Sequence, residues 1–156
     1  MWKKFNRKES QQAENQQQYP TKDISFDELK TAIQEYSSQL PREVPLSVLI
    51  NDDLTIDYQL LAPILKGIPE SIFYMSRETY DLFHEQDYAL AIELDNVQKA
   101  VDDYIRQTNE LPIINGDPYK KISFHKLSKL RLLASRPENE YYLTDQEDLV
   151  TTIKPK

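Results

Sequence analysis

The stretch ISFDELKTAIQEY, residues 24–36, reads against IELDNVQKAVDDY, residues 92–104, and the pairing decides how the rest of the chain is read. In both stretches apolar side chains recur at helical spacing: Phe26, Leu29, Ala32, Ile33 and Tyr36 in the first, Leu94, Val97, Val101 and Tyr104 in the second. Each predicts an amphipathic helix with one buried stripe. Ser25 followed by Glu28 makes a capping-box pattern at the first helix start, where hydroxyl and carboxylate satisfy free backbone amides. Only four of the fourteen positions in residues 23–36 match those in 91–104. Two like units are therefore inferred less from identity than from the shared order of caps, prolines and aromatic strands after each helix.

In the first unit Pro41 and Pro45 end the helix, and residues 46–50 are predicted as a strand on the β-branched Val48 and Ile50. Asn51, Asp52 and Asp53 supply a turn, and Asp57 caps a second helix through Tyr58, Leu61 and Ile64, kept short by Pro63 and stopped by Gly67 and Pro69. Residues 72–75 read as a second strand, and Ser76 as the start of a third helix carrying Tyr80, Leu82 and Phe83. The second unit keeps the same order. A proline-led strand occupies 112–114, Asn115, Gly116 and Asp117 turn, Ser123 caps a helix, 141–143 form a strand, and Thr144 with Glu147 opens a last helix through a second capping box. Ile56 with Tyr58 corresponds to Ile122 with Phe124, Leu61 to Leu127, and FYMS to YYLT.

These readings give an α+β fold of two pseudo-repeated helix-strand-helix-strand-helix units packed into one compact body. The units span 23–89 and 90–150, with a boundary near 85–90 and a tail at 151–156. Residues 1–22 are expected to be a flexible, basic and Gln-rich arm, because QQAENQQQYPTK offers little to bury. At the arm's start Trp2 and Phe5 stand beside Lys3 and Lys4, a mixture suited to an anionic membrane surface, with a plain solubilising tail as the other reading.

Composition narrows the function classes. The 156 residues carry a net charge of −7, which opposes wholesale binding of a phosphate backbone. There is no cysteine for a disulfide, a thiolate nucleophile or a cysteine zinc site, as fits a reducing compartment. No signal-peptide pattern follows the basic start, and no run of about 18 apolar residues occurs, so a cytoplasmic protein is expected, with peripheral contact at the inner membrane surface through the arm. The two glycines, Gly67 and Gly116, are too far apart for a nucleotide-cradling loop, and His84 and His125 have no metal-ligand spacing. Asn51, Asp52, Asp53 and Asp57 are the densest oxygen-ligand group, yet turn and cap chemistry uses the same residues. No catalytic residue, metal site or cofactor is assigned.

The sharpest local anomaly is YKKISFHKLSKLRLLASR, residues 119–136, which holds six lysines and arginines and no acid. On a helix from Phe124 the side chains of Leu127, Leu130 and Ala134 are expected in the core, leaving a basic outer face. The candidate contacts for a partner or anion are Tyr119, Lys120, Lys121, His125, Lys126 and Lys129. Such a face suits phosphate, an acidic protein or an anionic surface, or else it pairs with the chain's own acids. The phrases NELPIINGDPYKKISFHKL at 109–127, IFYMSRETYDLF at 72–83 and EYYLTDQEDLV at 140–150, with the lysine-rich start, resemble an uncharacterised family of small proteins from Gram-positive, spore-forming bacteria. That resemblance implies a bacterial cytosolic protein of unknown role and carries no functional residue. The functional expectation is a non-enzymatic interaction or adaptor protein with a protein partner. A nucleic-acid-binding regulator using 119–136 is the alternative, and a carboxylate- or metal-dependent enzyme the second alternative.

Overall fold

The computed structural model describes residues 19–154. Trp2, Lys3, Lys4 and Phe5, most of the expected arm, and the last two residues of the expected tail lie outside them. The fold mixes helices with short two-stranded pairings, the expected α+β class. The chain divides into two compact units, Met1–Tyr74 and Met75–Lys156, a division ahead of the expected 85–90 boundary.

The first unit begins earlier than the sequence pattern places it. Thr21–Lys22 form strand β1, parallel to β2 at Ile68–Pro69, so the end of the expected arm is ordered by backbone pairing. Helix α1, Phe26–Gln39, starts with the capping box: Glu28 N donates to Ser25 Oγ at 3.1 Å, and Ser25 N to Glu28 Oε1 at 3.4 Å. Its buried Leu29, Ala32 and Ile33 face helix α2, Tyr58–Leu65, whose own buried residues are Leu61, Ala62 and Leu65. Pro63 lies inside this eight-residue helix, and Lys66 ends it in the left-handed region at φ 57°. Gly67 therefore has a different role from the expected helix stop. A Cβ there would lie 2.4 Å from Cδ of Lys22 and 3.1 Å from the Pro20 carbonyl oxygen, so a larger residue would have to displace the Lys22 side chain and crowd the start of β1.

The expected strand at 46–50 is instead a 3₁₀ turn, Leu46–Leu49, opened by Pro45. Val48 N and Ile50 N bond back to the Pro45 and Ser47 carbonyls, and proline's fixed φ outweighs the β-branched preference. Only Ile50 keeps a bridge, to Ile56. Strand β3, Phe73–Met75, runs across the division between the units, and its Phe73 ring lies 6.3 Å from that of Phe26.

In the second unit the helix expected from Ser76 is a hairpin leading into β4, Leu82–His84. Ser76 N donates to the Asp81 carbonyl at 2.8 Å, and Tyr80 is left-handed at φ 63°. The amides that would open a helix are taken elsewhere: Arg77 N and Glu78 N donate to the Asp95 carboxylate at 3.1 and 3.3 Å, joined by the Ser76 hydroxyl. A 3₁₀ turn, Glu85–Asp87, leads into α3, Tyr88–Thr108, longer than expected and closed by left-handed Asn109. Residues 112–114 contribute a bridge, Ile113 to Ile122, rather than a strand. Ser123 caps α4, Phe124–Lys129, through Lys126 N at 3.2 Å.

Helix α4 is only six residues long. Arg131 turns left-handed at φ 60°, so Leu130 and Ala134, expected in the core, are exposed, and Leu132 and Leu133 come in half-buried instead. Strand β5, Tyr142–Leu143, pairs antiparallel with β6, Val150–Thr151. The connection is a turn and not the expected last helix: Thr144 N bonds the Leu149 carbonyl, while Glu147 and Asp148 are left-handed. Leu94, Val97, Val101, Leu127, Tyr141 and Val150 make the centre of this unit's core. Among the described residues no helix is long and apolar enough to cross a membrane.

Candidate functional site

Two of the six cations in the basic segment singled out by sequence pair with acids of their own unit. Lys120 Nζ lies 2.8 Å from Asp145 and Lys121 Nζ 2.7 Å from Glu140, hydrogen bonds that raise both lysines' pKa values and lower those of their partners. Lys126 Nζ donates to the Ile113 carbonyl at 2.8 Å and to Asn115 Oδ1 at 3.2 Å, fastening α4 to the turn before it. Tyr119 donates its amide to Asp117, and Lys154 Nζ stands 4.2 Å from the centre of its ring. Of the six candidates, His125 and Lys129 are the ones that α4 presents on an exposed surface. Lys120 and Tyr119 share a shallow depression with Thr144 and Asp145, and no α4 residue is in its lining.

The acidic cluster of the first unit serves turns and caps. Asp53 accepts from Thr55 N at 3.0 Å and from its hydroxyl, which lowers its pKa, and Asp57 accepts from Gln59 N at 3.1 Å at the start of α2. Among the described residues no group of three or more His, Asp or Glu is placed to hold a metal ion.

A groove that the sequence did not point to lies along α3 in the second unit. About 570 Å³ in volume, it runs between the helix and the segment 132–138. Ile92, Leu132 and Leu133 supply its apolar surface above the buried Val97 and Ala100, and its charged residues are of both signs, Lys99 and Arg136 with Glu93, Asp103 and Glu138. Arg136 is steadied by the Phe124 ring, 5.6 Å from its guanidinium carbon. One wall is set by Glu93, whose carboxylate accepts Glu138 N at 2.9 Å, Asn139 N at 3.1 Å, Asn139 Nδ2 at 3.0 Å and the Tyr141 hydroxyl at 2.9 Å. Burial works to raise the Glu93 pKa, but these donors together hold it below the usual carboxylate range. The Tyr141 hydroxyl is pushed well above its ordinary value, first by burial and then by Glu93. Glu93 sits between Ile92 and Leu94 in sequence, with no neighbouring motif to announce that it would gather a loop 45 residues away.

Residues 19–152 match the family described as protein of unknown function (DUF3939), and the chain belongs to that family. No match is found among the curated proteins or among the solved structures.

Proposed function

We propose that this chain is a non-enzymatic interaction protein whose second unit docks a segment of a partner protein in the α3 groove. The observation that carries this reading is the apolar surface at Ile92, Leu132 and Leu133, over the buried Ala100, with the cations Lys99 and Arg136 standing among the carboxylates Glu93, Asp103 and Glu138. That combination suits an amphipathic peptide segment whose apolar side chains enter the groove and whose carboxylate meets Lys99 and Arg136. The wall carboxylate, Glu93, is already engaged by four hydrogen-bond donors of its own unit, which favours binding over proton transfer at that position. The internal pairing of Lys120 and Lys121 and the net charge of −7 both count against a polyphosphate backbone as the ligand.

Selection from a random peptide library with the full chain as bait tests the proposal, followed by titration of the selected peptides. Enriched sequences should combine apolar residues with Asp or Glu, and Ile92→Glu with Lys99→Glu should abolish their binding while leaving the circular dichroism unchanged. Peptides that bind this double variant as tightly as the original chain would rule out the α3 groove as the docking surface.

A further inference from the structure

In the second unit Asn115 and Gly116 form the tip of a turn. Behind them, bonds from Ile114 N to the Lys121 carbonyl and from Ser123 N to the Pro112 carbonyl, both 2.8 Å, hold residues 112–114 against 121–123. The chain then reverses through Ile114, Asn115, Gly116 and Asp117, with Asp117 N donating to the Ile114 carbonyl at 3.1 Å. Gly116 stands at φ 81°, the positive value that the third residue of a type II turn needs. Asn115 and Gly116 are both exposed, and a Cβ on Gly116 would meet nothing within 4 Å. Among the described residues no protein atom accepts from the Gly116 amide.

The Asn115 carboxamide meets a cation. Lys126 Nζ donates to its Oδ1 at 3.2 Å while anchored on the Ile113 carbonyl at 2.8 Å. An ammonium on the amide oxygen draws electron density from Cγ and steadies the oxyanion that forms when a nucleophile adds there. The nucleophile within reach is the Gly116 nitrogen, which attacks Cγ by closing a succinimide ring. Gly116 has no side chain to obstruct rotation of the Asn115–Gly116 peptide into that ring, and its amide gives up no protein hydrogen bond in turning. The other described asparagines lack this combination. Asn51 Nδ2 donates to Thr55 Oγ1 and Asn139 Nδ2 to Glu93, Asn96 lies within α3 and Asn109 at its end. The residues that follow them are Asp52, Glu140, Val97 and Glu110, each with a Cβ in the way.

We propose that Asn115 is a site of self-modification by deamidation, with Gly116 N as nucleophile and Lys126 as the residue that polarises the amide. The bond from Gly116 N to Asn115 Cγ forms, the Cγ–Nδ2 bond breaks, and the proton of Gly116 N passes through solvent to the departing nitrogen, which leaves as ammonia. Water then opens either carbonyl of the succinimide, giving aspartate or isoaspartate at 115. The net exchange is one water gained for one ammonia lost, and nothing is oxidised or reduced. Aspartate sets a carboxylate against Lys126, whereas isoaspartate lengthens the main chain at the turn and breaks the bond from Asp117 N to the Ile114 carbonyl. Neither product involves the α3 groove or its partner. The test holds the folded full chain at mildly alkaline pH, digests samples in acid and reads every asparagine by mass spectrometry with electron-transfer fragmentation, which separates aspartate from isoaspartate. Both isomers should accumulate at 115 ahead of the other described asparagines. Gly116→Ala and Lys126→Met should each slow the conversion several-fold, and Lys126→Arg should restore most of the rate. In urea the Lys126→Met chain should react as fast as the unsubstituted one, which a merely structural role for the lysine does not require of the folded pair. The unsubstituted chain reads the site by itself, so a variant that fails to fold leaves that arm intact. Three results would each overturn the proposal: Asn115 unchanged while a peptide of residues 109–121 is converted in the same buffer, conversion that starts at another described asparagine, or a folded-state rate that Lys126→Met leaves unchanged or raises.

Discussion

At position 93 a carboxylate flanked in sequence by Ile92 and Leu94 accepts two backbone amides, one side-chain amide and one phenol, all from residues 138–141. Tyr141 is fully buried, so its hydroxyl depends on that acceptor. Glu93→Ala should therefore destabilise the second unit by about 1–3 kcal/mol, the cost of a buried donor left without a partner, whereas Tyr141→Phe should cost about 1 kcal/mol. Urea unfolding followed by circular dichroism measures both. The pH dependence has a definite sign. Because the folded Glu93 pKa is lowered, its contribution is fully present above the unfolded value of about 4.3 and is lost as pH falls through the folded value. Glu93→Gln should thus differ most from the unsubstituted protein at neutral pH and converge with it in acid. Tyr141 acts at the other limit. Its raised pKa keeps its contribution intact below about pH 10, and stability declines as pH rises further and the unfolded tyrosine ionises first.

Helix α3 organises the second unit through polar side chains as much as through its apolar stripe. Asp95 holds the turn at 76–78, Glu93 holds 138–141, and Gln98 holds the β5–β6 connection. Gln98 is buried, with its Oε1 accepting Val150 N at 2.8 Å and its Nε2 donating to the Asp148 carbonyl and to Asp102 Oδ1, each at 3.0 Å. Gln98→Leu keeps much of the volume but strands the Val150 amide, so a loss of about 1–3 kcal/mol is expected. Amide hydrogen exchange should show residues 144–151 opening more readily while α1 keeps its protection. Exchange that quickened uniformly over both units would mean that Gln98 does not act as a local latch.

Over the whole molecule, charge separates what the basic segment looks like in sequence from what it presents. Lys120 and Lys121 face acids of their own unit, and Lys126 is tied down by a backbone carbonyl and Asn115, so half of the segment's six cations are engaged within the unit while the whole chain stands at −7. A fluorescent single-stranded oligonucleotide titrated with the full chain at moderate salt should show no saturable anisotropy change. Saturable binding that fell steeply with salt and disappeared in Lys126→Glu with Lys129→Glu would restore the nucleic-acid reading.

The α+β class, the α1 capping box, the Asp57 and Ser123 caps and the apolar stripes of α1 and α3 were determined by sequence alone, because each depends on residues within a turn or two of one another. Pro63 likewise marked α2 as short from local geometry. The hairpins after Ser76 and Thr144 had the same local signals as helix starts, and only tertiary structure decided against helices: Asp95, 19 positions beyond Ser76, takes the amides of the first, and Gln98, 52 positions before Val150, holds the strand that closes the second. The α3 groove was hidden for the same reason, since its walls meet across a long stretch of intervening chain. Local spacing specifies helices and caps, but which polar side chain captures a distant backbone, and which lysine meets which acid, is settled when the chain closes on itself.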